Sequence, residues 1–230
     1  LVNGVFGDPL LHLRVHHQKR SLLFDLGEGR RLPAKIAHQV SDVFISHAHI
    51  DHISGFYWLL RSRIGEFPSC RLYGPPGLSH HIAGLVDGIH WDRIGRRGPG
   101  FDILEVHNNR LDRFHLKIGR KRLMKDGSAE FENGCLVDTP LFTVRADILD
   151  HGIPVLALAY EQKPHLRVRK KVFEKAGYPA GPWLREFKQT ITDGDADTMI
   201  QLPNGQKTLV GLLADALIQT IPGEKLVYAT

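Results

Sequence analysis

Between His47 and His52 the chain places three imidazoles and one carboxylate within six residues, in the run Ser46-His47-Ala48-His49-Ile50-Asp51-His52. On an extended segment, residues two apart point to the same side, so His47 and His49 can share one ion. Asp51 and His52 lie past the turn and face a second position. Zinc accepts imidazole nitrogen and carboxylate oxygen readily. Two such ions about 3.5–4 Å apart can hold a bridging hydroxide and stabilise an in-line displacement. A histidine-rich loop with incidental spacing is the bland alternative. A lone histidine would favour that alternative; His-X-His-X-Asp-His after an apolar strand favours the metal site.

The elements around the cluster must position it. Residues 42–46, with the apolar run Val43-Phe44-Ile45, read as a buried strand, and residues 53–63 read as an amphipathic helix. The cluster therefore sits at a strand's carboxyl end, where α/β folds place their chemistry. Upstream, residues 10–15 and 21–26 read as strands joined by the polar run His16-His17-Gln18-Lys19-Arg20. The second of these is nearly continuous in apolar residues, as expected when both faces are covered. It ends in Asp25-Leu26-Gly27-Glu28-Gly29, whose glycines permit a tight turn, and Glu28 is expected to shape the floor of the site. Residues 31–39 read as a helix with Pro33 confined to its first turn.

Downstream, residues 70–73 form a strand closed by the rigid turn Gly74-Pro75-Pro76-Gly77-Leu78, and residues 80–88 a helix. From Phe101 the pattern is β-like, with hairpin turns expected at Asp126-Gly127 and Asn133-Gly134. The basic stretch 110–125 alternates as strand faces do and reads as solvated surface. Strands at 141–146 and 155–160 flank Asp150-His151-Gly152. Residues 163–189 are different in character: lysine and arginine crowd one end, Val168, Val172 and Ala176 give only a narrow helical stripe, and residues 177–184 break it. This reads as a projecting basic arm. A hairpin at 198–209 and a strand at 225–229 complete an α/β arrangement of two sheets flanked by helices.

Composition sets the bounds. The chain has 230 residues, 42% of them hydrophobic, which suits one domain with a real core. No apolar run is long enough to cross a bilayer, and no signal-peptide pattern stands at the start, which is Leu1. Cys70 and Cys135 make neither a disulfide framework nor a thiolate metal site, so a reducing, cytoplasmic setting is expected. A net charge of +5 favours a polyanionic partner. His12, His16, His17, His38, His90, His107, His115 and His165 lack ligand-like spacing, His80 and His81 at a helix start read as capping or solvent contacts, and Trp58, Trp91 and Trp183 read as core or interface.

The histidine cluster resembles the signature of the metallo-β-lactamase superfamily. Together with Phe24-Asp25-Leu26-Gly27-Glu28-Gly29, Tyr73-Gly74-Pro75-Pro76-Gly77-Leu78, Asp150-His151 and residues 177–184, it makes the chain from about Phe24 onward similar to the ribonuclease Z branch. That resemblance implies a four-layer αβ/βα sandwich with two mixed β-sheets. It implies two zinc ions, with manganese or iron as alternatives. His47, His49 and His151 would ligate the first, and Asp51 with His52 the second. Asp51 would also be catalytic, holding and helping to deprotonate the attacking water. The implied substrate is precursor transfer RNA, cut at its 3′ trailer by a metal-activated hydroxide, and the implied assembly is a homodimer. Arg167, Arg169, Lys170 and Lys171 in the arm would grip RNA; a solvated charged helix is the competing account.

The resemblance also implies an aspartate bridging both ions and later histidines, all beyond Thr230. The chain is thus expected to be a C-terminally incomplete domain, inactive as a hydrolase by itself. Two other functions stay open: a metallo-hydrolase of a small phosphodiester, lactone or ester, and a metal-poor, non-catalytic binding protein on the same scaffold.

Overall fold

A computed structural model describes residues 1–15, 18–120 and 123–230. His16 and His17 of the polar connection, and Lys121 and Arg122 of the basic stretch, lie outside the described residues. The chain divides into two compact units: one of residues 1–138, 143–160 and 226–230, the other of residues 139–142 and 161–225.

In the first unit the chain runs β1 (Leu11–Arg14), β2 (Ser21–Phe24), α1 (Ala34–Gln39), β3 (Val40–Phe44), α2 (Ile50–Ile53), α3 (Phe56–Ser62), β4 (Cys70–Gly74), α4 (Leu78–Asp87), β5 (Gly100–Val106), β6 (Arg110–Lys117) and β7 (Met124–Glu130). Among the described residues these seven strands form one sheet in sequential order. Strands β2 to β5 are parallel, and β1, β6 and β7 join antiparallel at the edges. Helical crossovers join the parallel strands, as parallel pairing requires.

Alternation along the strands builds two faces. Leu23, Val43, Leu72 and Ile103 pack with Phe56, Leu59, Leu60, Leu78 and Ile82 of the helices. Phe24, Phe44 and Tyr73 point the other way and stack in a row, with ring centroids 5.1 and 5.0 Å apart. The row meets Tyr228 at 5.9 Å from Phe24. Tyr228 belongs to a second, four-stranded sheet. Its strands are β8 (Cys135–Asp138), β9 (Phe142–Asp150), β10 (Pro154–Gln162) and, at the end of the chain, β15 (Lys225–Tyr228), in the order β15-β10-β9-β8. Both strand faces of the parallel core are therefore covered, which explains why β2 and β3 read as continuous apolar runs.

Three local expectations are corrected. The helix expected over residues 53–63 is two short ones, α2 and α3, separated at Ser54-Gly55. Gly55 lies against the backbone of Gly27: a β-carbon there would stand 2.0 Å from the Gly27 carbonyl oxygen. The Gly55 N–H donates to the Leu26 carbonyl at 2.7 Å, so close backbone approach, not side-chain periodicity, sets the break. Asp126-Gly127 makes no hairpin turn; it lies inside β7, where a register shift leaves Asp126 without a strand partner next to Gly127 at φ +122°. Asn133-Gly134 does turn, both residues having positive φ, but it carries the chain from one sheet to the other.

The second unit holds β11 (His165–Val168), α5 (Lys170–Lys175), α6 (Trp183–Thr192), the hairpin β12 (Met199–Gln201) and β13 (Lys207–Leu209), α7 (Val210–Leu217) and β14 (Ile218–Ile221), which pairs with β11. The basic stretch 163–189 is the first part of this unit, and the unit has an apolar core. Phe187, Ile200, Leu202, Val210, Leu213, Leu217 and Ile218 are buried, with Phe173 and Trp183 packed against them. Among the described residues no helix is long and apolar enough to cross a membrane.

Candidate metal centre

The strand β3 delivers Ser46 and His47 to its carboxyl end, and α2 opens three residues later, so Asp51 and His52 stand in the first turn of a helix. His47 and His52 are buried, His49 is exposed and Asp51 about half exposed. The His47 and His49 rings meet edge to face, with His47 Nε2 3.1 Å from His49 Nδ1. The His47 and His52 ring centroids are 4.0 Å apart. His52 Nε2 lies 3.3 Å from Asp51 Oδ2.

Sequence reasoning quoted Asp25 but gave it no role. The structure makes it the hub. Asp25 ends β2 in the left-handed region, at φ +56°, which Asp tolerates better than most residues. Its carboxylate is fully buried. Oδ1 accepts the Ser46 N–H at 2.7 Å; Oδ2 accepts from the Ser46 hydroxyl at 2.8 Å, His52 Nδ1 at 2.7 Å and the Tyr228 hydroxyl at 2.8 Å. The Ser46 hydroxyl lies 3.0 Å from His47 Nδ1 and accepts from the Thr230 hydroxyl at 3.0 Å. With Asp25 and Ser46 holding both Nδ1 atoms, Nε2 is the nitrogen that His47 and His52 can each offer an ion. A carboxylate behind the histidine is the usual way a protein orients a metal-ligating imidazole. A charged residue closing an otherwise apolar strand was the available signal; its partners, 21, 27 and 203 residues away, were not in the sequence pattern.

Electrostatics separates the two buried rings. Burial, and then repulsion from His52 and His49, lowers the pKa of His47 below 6.5, keeping it neutral and able to ligate. Burial also opposes charge on His52, but the Asp25 hydrogen bond and the carboxylates of Asp25, Asp51 and Asp8 outweigh it and raise its pKa above 6.5. Tyr228 is raised as well, by burial and by the Asp25 charge it donates to.

The donors fit zinc in pairs. Bonds of about 2.0–2.1 Å at tetrahedral angles put neighbouring donor atoms roughly 3.3 Å apart. The His47–His49 and Asp51–His52 separations of 3.1 and 3.3 Å match that edge. Among the described residues no group of three or more such side chains is gathered as one ion's ligand set. His151 lies in the turn after β9, exposed, with its N–H donating to the Ile153 carbonyl, and no ring contact of the cluster includes it. Glu28 pairs its carboxylate with Arg30, and its carbonyl accepts from Asn3.

In the second unit Arg167, Arg169, Lys170 and Lys171 are all exposed, and α5 buries none of its residues. Arg169 donates to the Asp215 carbonyl at 3.3 Å, and Lys170 approaches Glu174 at 3.7 Å. In the first unit Arg110 and Lys125, from the other basic stretch, bind the buried Asp112 and hold its pKa down to about 2, with the Ser128 hydroxyl contributing most.

No protein-family model matches the chain. It is 31% identical over 214 residues to the ribonuclease Z of Enterococcus faecalis, an alignment covering 88% of this chain and 57% of that one. With the ribonuclease Z of Synechocystis sp. the figures are 28% over 226 residues, 95% and 57%. With that of Deinococcus radiodurans they are 24% over 214 residues, 91% and 62%. The chain thus spans less than two thirds of the length of these relatives. Among solved structures it is similar to the short form of human tRNase Z, at 22% identity and a TM-score of 0.41, over 67% of this chain and 57% of that one. A metallo-β-lactamase fold protein from Bacillus subtilis gives 16%, 0.40, 67% and 50%.

Proposed function

We propose that this chain, a metallo-β-lactamase-fold protein related to ribonuclease Z at distant identity over most of its length, carries a metal-binding phosphodiesterase site. The proposed substrate is the 3′ end of precursor transfer RNA. The observation that carries the reading is the close pairing of ring nitrogens with one another and with a half-exposed carboxylate at the strand end, held from behind by Asp25. His47 through Nε2 and His49 through Nδ1 would hold one zinc ion, with His151 as its third ligand, and Asp51 with His52 would hold a second. Ions so bound polarise a phosphoryl oxygen and acidify water.

The chain's own residues do the rest. Asp51 Oδ2 orients the attacking water and takes its proton. Asp25 keeps His52 with its proton on Nδ1. Arg167, Arg169, Lys170 and Lys171 track phosphates, through contacts whose strength falls with salt. Asp51→Ala is expected to abolish zinc-dependent cleavage of precursor transfer RNA. Undiminished cleavage by that variant would sink the reading. The rival reading, a metal-poor binding protein, would retain RNA affinity with near-zero bound zinc.

A further inference from the structure

A cavity of about 620 Å³ opens between α4 and the end of β6. Lys117, the last residue of β6, pairs with Gly100, the first residue of β5. Strand β5 runs parallel to β4, and β4 to β3, so Lys117 stands at the amino ends of the parallel strands. His47 follows the carboxyl end of β3, at the other end of the sheet. The cavity floor is apolar and belongs to the core: Val86, Leu116 and Ile118 are buried. Ala83 and Trp91, both half-buried, wall it. The Trp91 indole N–H donates to the Val86 carbonyl at 3.0 Å, so the ring offers only carbon to a ligand. Lys117 and Arg120 line the opposite side on a pinned turn. There the Ile118 N–H donates to the Pro99 carbonyl at 3.0 Å, and the Arg120 N–H to the Lys117 carbonyl at 3.2 Å. Between them Gly119 takes φ +78°, and a β-carbon on it would stand 2.2 Å from the Ile94 side chain. The Ile94 N–H in turn donates to the Trp91 carbonyl at 3.3 Å, so the turn and the tryptophan are braced together. Among the described residues no ion pair engages Lys117 or Arg120, and Asp87 is the one acid among the lining residues.

We infer that this cavity binds a small amphipathic carboxylate, its apolar body on Val86, Leu116 and Trp91 and its charge on Lys117 and Arg120. Small-molecule sites have volumes of about 300–1,000 Å³, apolar linings and a few placed polar groups, and this cavity has all three. The arginine fork matches a carboxylate with two parallel hydrogen bonds, and the lysine adds a point charge. A neutral ligand would leave both cations to water, and a cationic one would be repelled by them. Asp87 opposes a second negative charge, which favours a carboxylate over a phosphate. The site is separate from the metal centre and does not depend on the RNA reading.

The test is calorimetric titration with naphthoate as the probe and naphthylmethanol as its neutral counterpart. The wild type, the surface variant Lys117→Gln/Arg120→Gln and the cavity-filling variant Ala83→Leu are compared. The wild type is expected to bind naphthoate more tightly than naphthylmethanol. Lys117→Gln/Arg120→Gln should weaken naphthoate roughly 10- to 150-fold, the range for losing one hydrogen bond to a charged group, and leave naphthylmethanol unchanged. Ala83→Leu should weaken both probes, because its added carbons take up space the ligand's body needs. Naphthoate binding that is equal in the wild type and Lys117→Gln/Arg120→Gln would place the carboxylate elsewhere, the metal centre included, and overturn the inference. A wild type that binds naphthoate no better than naphthylmethanol, or binds neither at millimolar concentration, would overturn it as well.

Discussion

The two ends of the proposed activity use charge in opposite ways. Around Asp25 the ionisable groups are buried, few and bonded to one another: one carboxylate oxygen serves Ser46, His52 and Tyr228 together. Around α5 the cations are exposed, and the contacts they make, such as Arg169 to a carbonyl and Lys170 to Glu174, lie on the surface. The first arrangement fixes two ring nitrogens within tenths of an ångström, as an ion requires. The second leaves charge free to follow a flexible polyanion, and rests instead on the apolar packing of Phe187, Leu213 and Leu217 beneath it. Substitutions near the cluster should therefore cost stability and geometry together, while those on the basic surface should cost affinity alone.

Breaking the hub should do the most. Asp25→Ala strands the Ser46 amide and hydroxyl, the His52 ring and the Tyr228 hydroxyl, and is expected to destabilise the metal-free protein by about 3–5 kcal/mol in denaturant unfolding. It should also flatten a pH dependence. Because the folded-state pKa of His52 is raised, its contribution to stability is fully present below 6.5 and is lost as pH rises through the higher folded value. Unfolding curves of metal-free wild type should weaken across that window and those of Asp25→Ala should not. An equally sloped variant would place the effect elsewhere.

Next comes the backbone contact behind the cluster. Gly55→Ala forces a β-carbon into the Gly27 carbonyl and should cost about 1–3 kcal/mol or more, with His52 displaced through Leu26. A variant as stable as wild type would show that α2 and α3 adjust without strain. The smallest effect on stability belongs to Lys170→Glu/Lys171→Glu, expected within about 0.5 kcal/mol of wild type. Its RNA affinity should fall, and the salt dependence of binding should become shallower. A large loss of stability there would mean the cations are structural and would erase the contrast between the regions.

How much of this could be read in advance differs between the two regions for the same physical reason. His47, His49, Asp51 and His52 are legible because their spacing is local and the chemistry is carried by neighbours in the chain. Asp25 is visible as a charge ending an apolar strand, but its bonds to Ser46, His52 and Tyr228 exist only after three strands are assembled. Gly55 looks like a residue within a helix until Gly27 approaches it. Asp126-Gly127 has the composition of a turn, yet strand pairing absorbs it as an irregularity in β7. In the second unit the basic run is plain, while the core under it, drawn from short elements between Phe187 and Ile218, has no periodicity long enough to announce itself.

The central claim is that the residues from His47 to His52 form a metal site held by Asp25. Bound zinc, measured by equilibrium dialysis at neutral pH, tests it most directly, with wild type compared with His47→Ala and Asp25→Asn. The account predicts zinc on the wild type, none retained by His47→Ala, and an affinity lowered by about 10- to 100-fold in Asp25→Asn, the usual loss when the partner behind a ligand is removed. Near-zero zinc on the wild type, or equal zinc on all three, would contradict it.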